Sequence, residues 1–151
     1  MSTDDTIDIL NDLIETSKDG EYGFRASAEY LRNTETKRLF LQRADECRQA
    51  AADLQAHVMQ LGGSAETSGS ATGAVHRGWV SVKGTLSGHS DKAILEETER
   101  GEDTALEGYR KALAADLPSA VLDLVERQFE GVKRNHAQVR SLRDQARATA
   151  A

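Results

Sequence analysis

The chain has 151 residues, 38% of them apolar, which is enough for one domain with a sizeable buried core. Its formal net charge of −6 at pH 7 argues against nucleic-acid or anionic-membrane partners. The single cysteine, Cys47, rules out an intramolecular disulfide, and no apolar run approaches the roughly 18 residues of a membrane span. The N-terminus MSTDDTIDIL lacks the basic and apolar regions of a signal peptide. We therefore predict one domain over residues 1–151 in a cytoplasmic protein of bacterial type.

Four long stretches of the chain lack strong helix breakers, because Pro118 is the only proline and the glycines are clustered. Within these stretches apolar residues recur at spacings of three and four, which is typical of amphipathic helices. The pattern predicts helices over 6–33, 35–61, 91–115 and 118–147. Strand patterns are nearly absent, so we expect an all-α fold.

The first two predicted helices are joined by a short turn, which makes them antiparallel neighbours. The first carries Glu21 on its apolar stripe, and the second carries Cys47. Gly20 and Gly23 lie mid-helix, at a propensity cost of about 1 kcal/mol each relative to alanine. We expect the backbone of a neighbouring helix to approach closely there.

A connection of 29 residues, 62–90, separates the second predicted helix from the third. It is too long for a hairpin, and connections of this length usually have a structural or functional role. Its apolar residues lie at spacings of four, three and four, and they are Val75, Trp79, Val82 and Leu86. This spacing predicts a short helix inside a crossover that lies across the bundle.

The third predicted helix places polar residues where core residues are expected. Glu102 and Tyr109 share a face with leucines, and the fourth helix places Gln128 and His136 on its own apolar stripe. An unpaired buried carboxylate costs several kcal/mol, so Glu102 must be protonated, hydrogen-bonded, paired or bound to a cation. The charged run 96–100 is assigned to a solvent-exposed face.

Two interpretations of the inward-facing polar residues remain open at this stage. In the first they form a hydrogen-bonded network that fixes helix register, and its members are Glu21, Glu102, Tyr109, Gln128 and His136. In the second a subset binds iron or another divalent cation, with the predicted ligands Glu21, Glu46, Glu102 and His136.

Two helical hairpins joined by one long crossover resemble the ferritin-like bundles. The resemblance also rests on two Glu-to-Tyr pairs of equal spacing, Glu15 with Tyr22 and Glu102 with Tyr109. More narrowly, the chain resembles a proteobacterial family of four-helix-bundle proteins of unknown function, through the strings SKDGEYGF, GAVHRGW, ERGED, LVERQFEGV and NHAQVRSLRD. The resemblance implies a ferritin-like four-helix bundle and no particular activity.

The chain departs from the di-iron members of that superfamily, which carry Glu-x-x-His on two helices. The nearest strings here, Glu46-Cys-Arg-Gln49 and Glu130-Gly-Val-Lys133, contain no histidine. No hydrolase or nucleotide-binding motif is present either. We therefore expect a non-enzymatic stress or interaction factor, without catalytic residues and acting as a homodimer. The alternative is a metal-binding oxidase, ferroxidase or metal-storage protein with a degenerate site, which as an enzyme would be a di-metal oxidoreductase.

Overall fold

The structure, a computed structural model, describes residues 1–69 and 90–150. These residues form four helices and no strand: α1 Thr3–Tyr30, α2 Thr34–Gln60, α3 Asp91–Ala114 and α4 Ser119–Ala150. The all-α prediction is therefore confirmed for the described residues. The short helix predicted around Trp79 lies outside them.

The helix ends follow local capping rather than the apolar stripe. α1 begins three residues before the predicted start, because the Ser2 hydroxyl accepts from the Asp5 N–H at 3.1 Å and the Asp5 carboxylate accepts from the Ser2 N–H at 3.0 Å. It ends at Tyr30 rather than near 33, because Leu31 has an extended backbone with φ −68° and ψ 138°. The bounds of α2 and α3 lie within one residue of those predicted, whereas α4 extends three residues further, to Ala150.

Two contacts fix the directions of the helices. The Asp91 carboxylate accepts from the backbone N–H groups of Arg32 and Asn33 at 2.8 and 2.9 Å, which places the start of α3 beside the α1–α2 turn. At the opposite end, the Asn11 side-chain amide donates to the Ser64 carbonyl at 3.1 Å, just after α2. The helices therefore run up, down, down and up. α1 packs against both α2 and α3, α4 packs against α3, and α2 and α4 pack only lightly.

The core consists of two apolar clusters, one towards each end of the bundle. The larger lies near the start of α1 and includes Leu10, Leu13, Ile14, Leu54, Val58, Val121 and Val125. The second lies near the α1–α2 turn and includes Phe24, Ala28, Leu31, Phe40, Ile94, Leu95 and Val139. Nearly all of these side chains are at most 6% exposed, so each cluster is a closely packed apolar core. No helix within residues 1–69 or 90–150 is both long and apolar enough to cross a lipid bilayer.

α1 and α2 approach each other closely at Gly20. A Cβ added there would lie 2.9 Å from the Cys47 sulfur, which is closer than such atoms approach in proteins. The close approach predicted from sequence is therefore made by a side chain of α2 and not by its backbone. Gly20 leaves room for that side chain at mid-height.

We predict that Gly20→Ala does not give the stabilisation that alanine normally brings to a helix, about 1 kcal/mol. The new methyl group collides with the Cys47 sulfur, so the gain should appear only when Cys47→Ala is also present. Chemical denaturation of the two single variants and the double variant measures this coupling.

Gly131→Ala serves as the control for helix propensity, because a Cβ there would meet only the Arg134 Nη2 atom, at 3.6 Å. Equal effects of Gly20→Ala with and without the Cys47 side chain would contradict the prediction.

Candidate functional site

A cavity of about 370 Å³ lies between the four helices at mid-height. It exists because each helix contributes at least one small residue at this level: Gly20, Cys47, Ala50, Gly101, Ala105 and Gly131. Helix axes separated by ordinary distances cannot close a gap lined by such short side chains. The two apolar clusters therefore lie on either side of an open space rather than merging into one core.

The cavity opens between α2 and α4, the pair of neighbouring helices that packs most lightly. Two hydrogen bonds cross this gap. Arg43 Nη2 donates to Gln138 Oε1 at 2.5 Å, and Gln128 Nε2 donates to the Ala50 carbonyl at 3.2 Å. Seven residues of α2 separate the two crossings, or roughly 10 Å at 1.5 Å per residue. The mouth between them is lined from both helices by Glu46, Gln49, Arg134 and Asn135.

Glu102 lines the cavity from α3 and is only 4% exposed. Its Oε1 atom is buried and has no hydrogen-bond partner among the described residues. Burial raises the pKa of this carboxyl to about 8, although the positive charge of Arg43 opposes the shift; Asp103 and Glu99 add to it. Glu102 is therefore mainly protonated at neutral pH. The sequence had left four states open for it: protonated, hydrogen-bonded, paired or bound to a cation.

Tyr109 and Gln128 are joined directly. The tyrosine hydroxyl donates to Gln128 Oε1 at 2.8 Å, and the same glutamine donates onward to α2. The Phe129 ring stacks on Tyr109 at 6.4 Å between centroids. Burial raises the pKa of Tyr109 well above its usual range, so its hydroxyl remains a donor. No hydrogen bond joins this pair to Glu102 within the described residues.

Two further predicted site residues have partners of their own on the same helix. Glu21 accepts from Arg25 at 3.0 Å, and its side chain is 20% exposed. Glu46 is exposed at the cavity mouth and accepts from Arg43 Nη1 at 2.5 Å. The structure therefore places both near the surface, in ion pairs, and it does not join either of them to His136.

His136 lies against α3, where its Nε2 atom is 2.5 Å from Asp103 Oδ1. Glu99 lies one turn earlier on α3, and one potential ligand atom from each of these three residues lies within 4.8 Å of the other two. The Glu99 carboxylate also accepts from Arg143 Nη1 at 2.5 Å. Glu99 is only 8% exposed, so the assignment of the run 96–100 to a solvent-exposed face is wrong at this position.

Sequence reasoning missed three residues that shape these sites, although two of them carried a signal. Glu99 lies four residues after Leu95 and three before Glu102, on the same helical stripe. Arg43 lies three residues after Phe40, also within helical reach of an inward face. Asp103 lies outside the stripe, and only the position of α4 brings it to His136.

A family model described as "Domain of unknown function (DUF2383)" matches residues 5–115. The chain belongs to this family. The match covers α2, α3 and all of α1 except its first two residues. Gln128 and His136 on α4 lie beyond it. None of the curated proteins compared with the chain matches it. The family's description names no activity, so the function must be argued from the two sites.

We predict that protein stability falls as pH rises from about 4.5 to about 8, because Glu102 is ionised in the unfolded chain over this range but protonated in the folded one. The loss is roughly 3 to 5 kcal/mol, since each pKa unit corresponds to about 1.4 kcal/mol. Glu102→Gln removes this loss, so the variant should be more stable than the parent at about pH 9 and similar to it at about pH 5.

Urea denaturation at several pH values tests this, with Glu107→Gln as the control because that α3 side chain is 76% exposed. If Glu102→Gln and Glu107→Gln show the same pH dependence as the parent, the Glu102 carboxyl is not the titrating group.

Proposed function

We propose that this protein is a non-enzymatic binding protein of ferritin-like architecture, which holds a small, mostly apolar molecule in its central cavity. One observation carries the proposal: the buried Oε1 atom of Glu102 has no hydrogen-bond partner among the described residues, and this side chain lines a cavity of about 370 Å³. Buried polar groups are nearly always hydrogen-bonded, and one left unsatisfied costs about 1–3 kcal/mol. A bound molecule would supply the missing partner.

The shape and chemistry of the cavity support a ligand of this kind. Small-molecule sites are concave, mainly apolar and carry a few polar groups that orient the ligand. Here the mainly apolar lining surrounds Glu102, Tyr109 and Arg43, and a mouth between α2 and α4 gives access. The up, down, down, up order of the helices supports the ferritin-like placement.

Other parts of the functional interpretation rest on sequence alone. The stress or interaction role, the homodimer, the cytoplasmic location and the absence of nucleic-acid partners remain predictions from composition, charge and resemblance. The buried network of Glu21, Glu102, Tyr109, Gln128 and His136 also remains a prediction as a functional unit.

We predict that neutral aromatic fragments bind in the central cavity of the purified protein. Saturation-transfer NMR with fragments of naphthalene size measures this directly. Gly131→Leu places a side chain at the cavity mouth without a backbone clash, so it should weaken binding by about tenfold or more, the equivalent of about 1.4 kcal/mol.

Ala137→Leu is the matched control, because Ala137 is exposed on the same helix and lies outside the cavity lining. Circular dichroism confirms that both variants fold. The absence of fragment binding to the parent, or equal binding to Gly131→Leu, would refute the proposed function.

A second candidate function, divalent metal binding, is favoured by a different observation. Glu99, Asp103 and His136 offer two carboxylates and one imidazole within 4.8 Å of one another, a mixed oxygen and nitrogen set that suits borderline divalent ions. This set retains His136 from the predicted ligands and replaces Glu21, Glu46 and Glu102 by two residues of α3. The Glu99 carboxylate is paired with Arg143, and a metal ion would have to displace that arginine.

We predict that Mn(II) or Zn(II) binding at this site is lost in His136→Ala and strengthened in Arg143→Gln, which removes the competing cation from Glu99. Binding to the parent should weaken in acid, because protons compete with the metal ion for the same ligand atoms. Isothermal titration calorimetry measures all three effects.

Two controls separate this site from the alternatives. His57→Ala removes a histidine of α2 and should leave metal affinity unchanged. Glu46→Gln should also have no effect, whereas a loss of affinity in that variant would favour the ligand set predicted from sequence. Equal affinity in the parent and His136→Ala would eliminate both sets.

A further inference from the structure

In the described part of the chain, two buried polar atoms that line or adjoin the same cavity lack hydrogen-bond partners. They are Glu102 Oε1 and Arg43 Nε, from two helices that lie diagonally across the bundle. The third such atom among the described residues, the Ser27 hydroxyl oxygen, belongs to a residue outside the cavity lining. The cavity therefore brings together one cationic donor and one carboxyl oxygen, neither of which is hydrogen-bonded to another described residue.

Arg43 is held in place by its two terminal nitrogens. Nη1 donates to Glu46 and Nη2 donates to Gln138, both at 2.5 Å, so the guanidinium bridges α2 and α4 at one end of the mouth. Its side chain is only 12% exposed. The free Nε–H is thus a fixed donor on a positively charged group. A ligand that accepts from it requires little rearrangement of the arginine side chain.

We propose that the ligand of this cavity is an organic acid with an apolar body, whose carboxylate accepts a hydrogen bond from the Arg43 Nε–H. This inference rests on the proposed function and specifies the ligand class. It fits the lining, since polar groups that can recognise a carboxylate lie at the Arg43 side while Phe24, Ala105 and Val132 offer apolar surface for the body.

The charges around Glu102 favour an acid over an amine. From α2, Arg43 is the positive group that acts most strongly on Glu102, and Glu46 and Asp53 line the outer part of the cavity. From α3, Asp103 and Glu99 act on it more weakly. α4 contributes the exposed Arg134, and α1 contributes no charged side chain to the described lining. A bound ammonium would face the Arg43 guanidinium and be repelled by its positive charge.

Two buried titratable groups that line the cavity, Cys47 and Tyr109, keep their protons at the pH of the binding test. Burial raises the pKa of the Cys47 thiol to about 12, with the charges of Glu102, Glu46 and Glu21 adding to the effect. Burial also raises the pKa of Tyr109 well above its usual range.

The test compares three probes that share one apolar body: phenylpropanoate, phenylpropanol and phenylpropylamine. We expect phenylpropanoate to bind the parent at pH 7 about tenfold or more tightly than the other two, since a charge-assisted hydrogen bond contributes at least that factor.

Arg43→Gln should weaken phenylpropanoate binding by about tenfold or more while leaving phenylpropanol nearly unaffected. Arg48→Gln is the control, because Arg48 is exposed on the same helix, with a side chain 59% accessible, and lies outside the cavity lining. Titration calorimetry gives the affinities, and circular dichroism shows that each variant folds.

The outcomes separate this inference from the proposed function. Tighter binding of phenylpropanol or phenylpropylamine to the parent overturns the organic-acid inference but leaves a ligand-binding cavity. Equal phenylpropanoate affinity in the parent and in Arg43→Gln overturns the role of Arg43. If none of the three probes binds the parent and the neutral fragments do not bind either, both proposals fall. The comparison of the three probes uses the unmodified protein, so it decides the ligand class even if a variant does not fold.

Discussion

The physical constraint on which this structure depends is the burial of one carboxyl group in a gap of the core. Small residues from all four helices leave the gap, and Glu102 lines it with no hydrogen-bond partner for Oε1 within residues 1–69 and 90–150. Protonation removes most of the cost of burying the charge, which is why the pKa of this group is raised to about 8. The nearest cation does not close the gap, because Arg43 is held by Glu46 and Gln138.

The two apolar clusters allow the middle of the bundle to remain open. Each cluster contains its own aromatic pair. Near the α1–α2 turn the Phe24 and Phe40 rings meet edge to face at 5.2 Å, and in the larger cluster Tyr109 stacks on Phe129. Such clusters carry the hydrophobic stabilisation at both ends. The residues at mid-height therefore need not stabilise the fold by hydrophobic burial, and small and polar side chains are tolerated there.

Three carboxyl groups within five residues of α3 lie in three different surroundings. Glu99 is paired with Arg143, Asp103 lies against His136, and Glu102 between them is protonated. The difference arises because successive residues of a helix point about 100° apart and so face different surroundings. Glu99 and Asp103 meet α4, whereas Glu102 meets the cavity. Two distinct candidate sites, one for a metal ion and one for an organic molecule, therefore lie on one helical turn.

The sequence by itself determined the four helices and the inward position of Glu102, because a helical period and a polar residue on an apolar stripe are local features. Only the tertiary structure decided which partners meet. His136 lies against Asp103 rather than Glu102, and Arg43 reaches Gln138, a residue 95 positions away. Periodicity gives the face on which a side chain lies, but long side chains can reach either of two neighbouring helices, and the rotation and spacing of those helices select one. The cavity likewise depends on small residues distant in sequence coming to the same height, which no single helix encodes.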